Sequence, residues 1–202
     1  MIKRLFDFIL ALVLIVIFSP VLILFSFLIW MQDWHSAFYV APRVGRKEKI
    51  CKMIKFRSMV VNADKSGVDS TSANDSRITL LGNFIRKYKI DELPNFFNII
   101  MGEMSFVGPR PLLFEYKKLY STNQKKRFLV KPGITGWAQV NGRNHLSWNE
   151  KFNLDIWYVK NQSFLLDLKI LLITFFKIFS NKDIDFNKNI SDIKFKGNNE
   201  NN

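Results

Sequence analysis

Cysteine and histidine are scarce in this chain of 202 residues, and several common catalytic motifs are missing. Cys51 is the only cysteine, so no disulfide can form within the chain, which fits a reducing compartment. There is no Walker A loop, no zinc-type cluster of cysteine and histidine, and no internal repeat. His35 and His145 belong to no Ser/His/Asp set marked by a motif, and we interpret both as structural. These absences remove the usual sequence signatures of P-loop enzymes, zinc enzymes and serine hydrolases.

Acidic residues are also few relative to basic ones. The chain has 30 lysines and arginines against 17 aspartates and glutamates, a formal net charge of +13 at pH 7. Such an excess favours anionic partners, namely phospholipid, nucleotide phosphates or nucleic acid. Because 48% of the residues are hydrophobic and the N-terminus is apolar, we predict an anionic membrane lipid as a partner and no nucleic acid. The length allows one catalytic domain with its own core plus a membrane element.

A long apolar run occupies residues 8–30 and is interrupted only by Ser19-Pro20 and Ser26. About 20 apolar residues suffice to span a bilayer, so the run is long enough for a transmembrane helix. A secretory signal peptide is a further interpretation, but no small-residue cleavage site follows the run. The proline removes a backbone donor in the middle of the run. The carbonyl that this frees needs another partner, and the Ser19 hydroxyl is close to it.

Basic residues flank this run on both sides. Lys3 and Arg4 precede it, and the basic residues that follow it are Arg43, Arg46, Lys47, Lys49, Lys52, Lys55 and Arg57. Positive residues prefer the cytoplasmic side of a membrane, so both ends of the run are candidates for that side. A helix–break–helix hairpin that enters and leaves by one face satisfies both flanks and the break at Pro20. A kinked span is equally compatible with the residues, and the two topologies stay open at this point.

The remaining chain is predicted to be predominantly α-helical with a small β element. We predict short strands or a hairpin over residues 40–59, a mobile polar loop over 62–76, a helix over 78–87, a second helix that begins near residues 91–94 and ends by 102, and a basic helix over 112–128. Residues 131–144 carry three glycines and are predicted to form a loop. The apolar segment 164–179 contains charged residues, which favours an interfacial amphipathic helix or a core helix over a span. The polar segment 181–202 is predicted to be loose.

Asp91-Glu92 opens a predicted helix and is the first candidate for chemistry. Acidic residues favour helix N-termini because they cap free amides and face the positive end of the dipole, so a plain helix cap is the simpler interpretation. The same geometry attracts phosphate, and a carboxylate beside a bound phosphoanhydride can attack phosphorus to form an acyl phosphate. Because two anions must then approach each other, we expect Mg²⁺ to bridge the carboxylate and phosphate oxygens.

Three basic residues are candidates for binding the phosphates of a substrate. Arg110 lies between two prolines in a predicted non-helical turn, whose stiff backbone can aim the guanidinium at a phosphate in a bidentate manner. Lys55 and Arg57 form a further basic pair. A purely structural turn is the alternative for Arg110. A solvated or lipid-facing patch is the alternative for the pair.

The glycine-rich segment 132–143 carries side chains suited to a nucleobase or a sugar: Trp137, Gln139, Asn141 and Arg143. Glycines permit close approach of a backbone, and these side chains offer stacking and hydrogen bonds. We take Gln139 and Arg143 as the candidates for substrate binding. A glycine-rich structural loop is the alternative interpretation.

Taken together, these segments resemble the bacterial sugar transferase family, the small monotopic phosphoglycosyl transferases. The resemblance covers nearly the whole chain in the expected order, and several ordered motifs are more specific than any single one. The matching residues are Lys3-Arg4-Leu5-Phe6-Asp7 with the Ser19-Pro20 break, Lys55-Phe56-Arg57-Ser58-Met59, Arg77-Ile78-Thr79, Asp91-Glu92-Leu93-Pro94, Gly102-Glu103-Met104-Ser105-Phe106-Val107-Gly108-Pro109-Arg110-Pro111, the loop from Lys131 to Asn144, Asp155 with Tyr158, and Asp167-Leu168-Lys169-Ile170.

The resemblance implies a monotopic architecture. Residues 1–34 would form a re-entrant membrane hairpin around Ser19-Pro20, and residues 35–180 a catalytic domain at the cytoplasmic face of the bacterial inner membrane. Residues 181–202 would follow as a polar tail.

The resemblance also implies a reaction. A UDP-sugar is the donor, undecaprenyl phosphate the acceptor and Mg²⁺ the cofactor, with downstream glycosyltransferases as further partners in surface glycan or glycoconjugate synthesis. By analogy, Asp91 binds the metal, takes the phospho-sugar as nucleophile and releases UMP, and the lipid phosphate then attacks this intermediate. Glu92 would orient the metal or receive the acceptor proton. The motifs do not single out one sugar.

The chain departs from the family pattern at three places, which concern local loop structure more than chemistry. His35-Ser36-Ala37 stands where many members have Ser-x-Gly-Pro, and Ala41-Pro42 precedes an Arg-x-Gly element that often follows glutamine. Glu103 replaces a frequent aspartate and keeps the acidity. The alternative function is a non-catalytic basic membrane tether or assembly protein, which leaves the Asp91-Glu92 segment unexplained.

Overall fold

The computed structural model describes residues 2–63, 75–142, 145–179, 195 and 197. The helices of this part of the chain are α1 (Ile2–Asp33), α2 (Leu80–Lys87), α3 (Asn95–Met101), α4 (Trp137–Val140), α5 (Trp148–Asn161) and α6 (Phe164–Phe179). Its strands are β1 (Phe38–Val44), β2 (Ile50–Phe56), β3 (Ser105–Val107) and β4 (Gly133–Thr135). The predicted helical class with a small β element is confirmed, as are the helices predicted over 78–87, 91–102 and 164–179, which correspond to α2, α3 and α6.

Helix α1 contains 32 residues and is long and apolar enough to cross a membrane by length and composition. The helix continues through Pro20 without interruption. Pro20 has no N–H to donate to the carbonyl of Val16, one turn earlier, and the Ser19 hydroxyl donates to that carbonyl instead at 2.8 Å. The predicted partner for the freed carbonyl is therefore confirmed. Helix α1 shows no break at Pro20, and the helix–break–helix hairpin stays a prediction.

Both ends of α1 contact the rest of the protein. Near its start, the Lys3 ammonium binds Asp167 of α6 at 2.6 Å, and Arg4 donates to two carbonyls at the end of α3. At its end, Asp33 pairs with Arg57 at 2.6 Å. The residues that α1 buries all fall on one stripe of the helix: Asp7, Ala11, Leu22, Phe25 and Ile29. Because much of the remaining surface is exposed and apolar, α1 lies along the domain with its apolar side outward.

Strands β1 and β2 form an antiparallel hairpin, which confirms the prediction for residues 40–59. The register puts three pairs on one face: Tyr39 with Lys55, Ala41 with Met53, and Arg43 with Cys51. Three residues of this face, Ala41, Met53 and Cys51, are buried in the main core, so it is the inner face of the hairpin. Lys52, on the outer face, is exposed. The hairpin therefore covers the core and carries a basic residue at each end of its inner face.

Strands β3 and β4 pair in parallel within the core, with Ser105 opposite Gly133. Glycine permits their close approach, since a Cβ on Gly108 would lie 2.3 Å from the carbonyl oxygen of Lys131. The prediction of a loop over residues 131–144 is wrong in part, because β4 and α4 lie inside it. Gly133 and Gly136 of this segment instead allow its backbone to pack against that of Gly108.

The prediction of a basic helix over residues 112–128 is wrong. The structure has two 3₁₀ turns there, Phe114–Leu119 and Gln124–Leu129. Ser121 lies between them, and its amide donates to the side-chain oxygen of Gln124 while its hydroxyl accepts from the Gln124 amide. Such local side-chain to backbone bonds compete with a continuous helix, which explains the interruption.

A second core is built mainly of aromatic rings: Tyr116, Tyr120, Phe128, Trp148, Phe152 and Phe195. Phe195 is 1% exposed although it belongs to the C-terminal segment that was predicted to be loose, so this residue is part of the core. Most of the predicted loop over 62–76 and most of the segment 181–202 lie outside the described residues.

Candidate active site

Asp91 and Glu92 lie in a 3₁₀ turn, Ile90–Glu92, that leads into α3. Lys89, directly before the turn, has a left-handed backbone with φ of 59°, and Pro94 has the fixed φ of −60° that suits the start of a helix. The two acidic residues therefore precede α3 as a separate turn, and they do not cap its first amides. This arrangement leaves their carboxylates free to face other elements.

Glu92 binds two cations with the same carboxylate oxygen. Its Oε1 accepts from the Lys55 ammonium at 2.9 Å and from Nη2 of Arg110 at 2.8 Å. Burial by itself would raise the pKa of Glu92, but the charges and hydrogen bonds of Arg110 and Lys55 outweigh it and hold the pKa well below its ordinary value. Glu92 is therefore an ionised anchor at neutral pH, which favours a positioning role over the predicted proton acceptor.

Asp91 has a carboxylate oxygen without a partner. Its Oδ1 is buried and forms no hydrogen bond with any of the described residues. Burial raises the pKa of Asp91, and the negative charge of Glu92 raises it further, while Lys55, Lys89 and Arg86 lower it. A carboxylate oxygen that accepts no hydrogen bond and lies near the Lys55 and Arg110 cations has the chemical features of a nucleophile.

The site offers few protein ligands for Mg²⁺. Among the described residues there is no group of three or more His, Cys, Asp or Glu side chains that could hold a metal ion. Mg²⁺ is usually bound through one or two carboxylates together with substrate phosphates and water. The unbonded Oδ1 of Asp91 fits such a ligand, so the residues are compatible with a metal that arrives with the substrate.

A buried ion pair between Arg127 and Asp155 supports the backbone of the Arg110 turn. Nη2 of Arg127 donates to the backbone oxygen of Arg110 at 2.8 Å and to Asp155 at 2.7 Å. The turn has no helical or strand structure, as predicted for residues between two prolines. No motif marks Arg127, which falls within the basic helix predicted over residues 112–128. Its only signal was Asp155, which belongs to the family pattern.

The glycine-rich segment adjoins the Arg110 turn. A Cβ on Gly136 would lie 2.2 Å from the carbonyl oxygen of Gly108, so the two backbones touch. The Gln139 amide donates to the oxygen of Ile134 at 2.9 Å, while its own Oε1 is buried without a partner among the described residues. This free acceptor keeps Gln139 a candidate for substrate binding. Arg143 lies outside the described residues.

Arg57 is separate from the other candidates. Its guanidinium binds Asp33 at 2.6 Å and the carbonyl of Ile29 at 3.3 Å, both in the last turns of α1. These contacts fasten the end of α1 to the hairpin, and the predicted role of Arg57 in substrate binding stays a prediction. The structure thus brings Lys55, Asp91, Glu92 and Arg110 together, while Arg57 and Ser19-Pro20 belong to the α1 contacts.

Comparison with known proteins places the chain in a family. It matches the family model of the bacterial sugar transferases over residues 1–181. It is 42% identical over 195 residues to a protein of Bacillus subtilis (strain 168) named uncharacterized sugar transferase EpsL, and the alignment covers 96% of each chain.

Two longer relatives carry substrate names. The chain is 40% identical over 187 residues to the UDP-galactose-lipid carrier transferase of Erwinia amylovora. It is 37% identical over 190 residues to the UDP-glucose:undecaprenyl-phosphate glucose-1-phosphate transferase of Escherichia coli (strain K12). These alignments cover 85% and 90% of this chain but 39% and 41% of the two relatives. The chain therefore belongs to the bacterial sugar transferase family.

Proposed function

We propose that this protein transfers a sugar phosphate from a UDP-sugar to undecaprenyl phosphate, giving undecaprenyl-diphosphate-sugar and UMP. The name of the E. coli relative supports a UDP-sugar donor and this acceptor, and that of the Erwinia relative supports a UDP-sugar and a lipid carrier. The observation that carries the proposal is the unbonded carboxylate oxygen of Asp91 beside Glu92, which holds two cations. Such a product begins the synthesis of a bacterial surface glycan or glycoconjugate.

The first step uses Asp91 as the nucleophile. A carboxylate oxygen forms a bond to the phosphorus that bears the sugar, and the bond from that phosphorus to the bridging oxygen breaks. The electron pair of the broken bond stays on the bridging oxygen, which leaves as part of UMP. Lys55 and Arg110, fixed by Glu92, would bind phosphate oxygens and reduce the repulsion between the two anions.

The second step returns Asp91 to its starting state. An oxygen of undecaprenyl phosphate attacks the phosphorus of the acyl phosphate, and the bond to Asp91 breaks with its electron pair on the carboxylate. Glu92 keeps Lys55 and Arg110 in place throughout both steps because its low pKa leaves it ionised. Mg²⁺, when bound by Asp91 and substrate phosphates, would supply further charge neutralisation.

The contacts of α1 support a monotopic location at the cytoplasmic face of the inner membrane. Lys3 and Asp33, near the two ends of the helix, both pair with residues of the same domain. A straight span would carry one of these ends to the far side of the bilayer, so these contacts favour a path that keeps both ends of α1 and their basic flanks on the cytoplasmic side, as the re-entrant topology requires. Helix α6 also exposes apolar side chains, as an interfacial helix does, and these add to the exposed apolar surface of α1: Phe164, Leu165, Leu172, Phe175 and Phe176.

The proposed reaction is tested by incubating the full-length protein with Mg²⁺, undecaprenyl phosphate and a panel of UDP-sugars, with UMP release as the measurement. We expect one or a few UDP-sugars to release UMP and form a lipid product. The Asp91→Asn variant, which keeps the size of the side chain but not its charge, should release none.

Failure of the wild-type protein to release UMP from any UDP-sugar would contradict the proposal. A non-catalytic membrane tether would then be the better account of the basic, apolar N-terminus. A membrane tether would also sediment with membranes, so fractionation does not distinguish it from the transferase. UMP release does distinguish the two.

A further inference from the structure

Arg43 lies on the inner face of the β1–β2 hairpin, at the opposite end from Lys55. Tyr39, the strand partner of Lys55, precedes Arg43 by four residues, which corresponds to about 13 Å along a strand. Arg43 also forms a β-bridge with Leu113, in the segment that follows Arg110. The hairpin therefore fixes Arg43 beside the Arg110 turn, at the far end of the face that begins with Lys55.

The Arg43 guanidinium has no hydrogen bond or ion pair with the described part of the chain. The residue is half-buried, and burial, followed by the nearby charge of Arg110, lowers its pKa. Glu92 also acts on Arg43, but its Oε1 already binds Lys55 and Arg110. Three cations, Lys55, Arg110 and Arg43, thus lie near two carboxylates, those of Glu92 and Asp91, and this surplus of positive charge favours an anionic ligand.

The order of these residues indicates which part of a donor Arg43 would meet. Asp91 lies at the Lys55 end, because its neighbours Ile90 and Leu93 pack against the cluster that contains Phe56, the residue after Lys55. In a UDP-sugar, the phosphate that bears the sugar must face Asp91, so the nucleotide phosphate faces Arg110 and Arg43. Resting on the proposed function, we infer that Arg43 binds the phosphate of the nucleotide that leaves as UMP.

This role confines the effect of Arg43 to the first transfer step. As the bond to the bridging oxygen breaks, the leaving phosphate gains negative charge, and a guanidinium can bind it in a bidentate manner. The second step joins the sugar phosphate to the lipid phosphate and involves no nucleotide. Arg43 should therefore affect the donor and UMP much more than the lipid acceptor.

The experiment uses the full-length protein in lipid nanodiscs, with UDP-sugar and undecaprenyl phosphate varied separately and UMP added as a product inhibitor. Arg43→Gln should raise both the KM for the UDP-sugar and the inhibition constant of UMP by about 10- to 100-fold. The KM for undecaprenyl phosphate should stay near the wild-type value. Arg43→Lys should recover only part of the loss, because lysine lacks the planar fork.

Lys52→Gln is the matched control, because Lys52 is an exposed cation on the outer face of the same hairpin. The inference would be overturned if Arg43→Gln and Lys52→Gln had the same KM for the UDP-sugar and the same inhibition constant for UMP. An equal loss toward donor and lipid would also overturn it, since that result indicates a structural role. If Arg43→Gln does not fold, a folded Arg43→Lys variant with the wild-type KM for the UDP-sugar and the wild-type inhibition constant for UMP would also overturn the inference.

Failure of the proposed function would look different. The wild-type protein would then release no UMP with any UDP-sugar, and both ideas would fall together. With an active wild-type enzyme, only the comparison of the Arg43 and Lys52 variants decides the role of Arg43.

Discussion

Arg127 and Asp155 form an ion pair of 2.7 Å whose side chains are 2% and 4% exposed, and the same guanidinium holds the backbone oxygen of Arg110. The charge of Arg127 also lies over the rings of Tyr120, Phe128 and Phe152. This buried pair therefore connects the aromatic core to the turn that carries Arg110.

Replacing one member of this pair should destabilise the protein strongly. Asp155→Ala leaves the buried charge of Arg127 unpaired, so we expect a loss of about 3–5 kcal/mol in the free energy of unfolding. The double variant Arg127→Met with Asp155→Leu should lose less than either single change, because no unpaired charge remains. Thermal unfolding in detergent measures this, with the exposed Lys126→Met as control. A double variant less stable than both single variants would contradict the expectation.

This ion pair also shows where the sequence was informative and where it was not. The two prolines around Arg110 and the proline after Glu92 restrict the backbone locally, so the turn and the start of α3 followed from the sequence. The contacts of Arg127 depend on residues that are 28 positions apart and on a pair of 3₁₀ turns. No local pattern distinguishes Arg127 from the neighbouring exposed Lys126, and burial becomes visible only in the folded chain.

Glu92 should be needed for donor binding because it anchors Lys55 and Arg110. Glu92→Gln keeps the shape but removes the charge that holds both cations, so kcat/KM for the UDP-sugar should fall by about 10- to 100-fold. Covalent labelling by the donor should still occur at high donor concentration. Steady-state kinetics and intact mass together measure this, and an unchanged kcat/KM would contradict the anchoring role.

The same residue predicts a pH effect on stability. The pKa of Glu92 in the folded protein is well below the value of 4.5 expected for the unfolded chain. Its ionised form therefore stabilises the fold fully above pH 4.5, and this stabilisation is lost as the pH falls toward the lower, folded pKa. The difference in melting temperature between wild type and Glu92→Gln should be largest above pH 4.5 and shrink at more acidic pH. A difference that grows on acidification would contradict this sign.

Labelling of introduced cysteines tests the re-entrant path of α1. Ile2 and Trp34, which flank the apolar run, are 73% and 68% exposed, so cysteine at either position should react with a membrane-impermeant reagent. The native Cys51 should give little background, because it is buried and its pKa is raised to about 12. We expect both positions to label only from the cytoplasmic side. Labelling of residue 2 from the periplasm alone would exclude the re-entrant path.

Asp91 gives the most direct test of the chemistry. Enzyme mixed with UDP-sugar and Mg²⁺ but without lipid acceptor should release one UMP per active site and retain the phospho-sugar covalently. Asp91→Asn should form no such adduct, because the amide cannot attack phosphorus. Intact mass of rapidly quenched enzyme detects the adduct, and quenching near neutral pH limits hydrolysis of the acyl phosphate. Glu92→Gln serves as the control, since it changes the neighbouring carboxylate and leaves the nucleophile in place.

The pH dependence of this first step provides an independent check. Burial and the charge of Glu92 raise the pKa of Asp91 above 3.8, and only the ionised carboxylate can attack. The rate of UMP release should therefore fall as the pH is lowered through a value above 3.8, and Glu92→Gln should shift this limb to lower pH. Near-normal turnover of Asp91→Asn would contradict the covalent mechanism. Asp91 would then serve the fold alone, and the lipid phosphate would have to attack the donor directly.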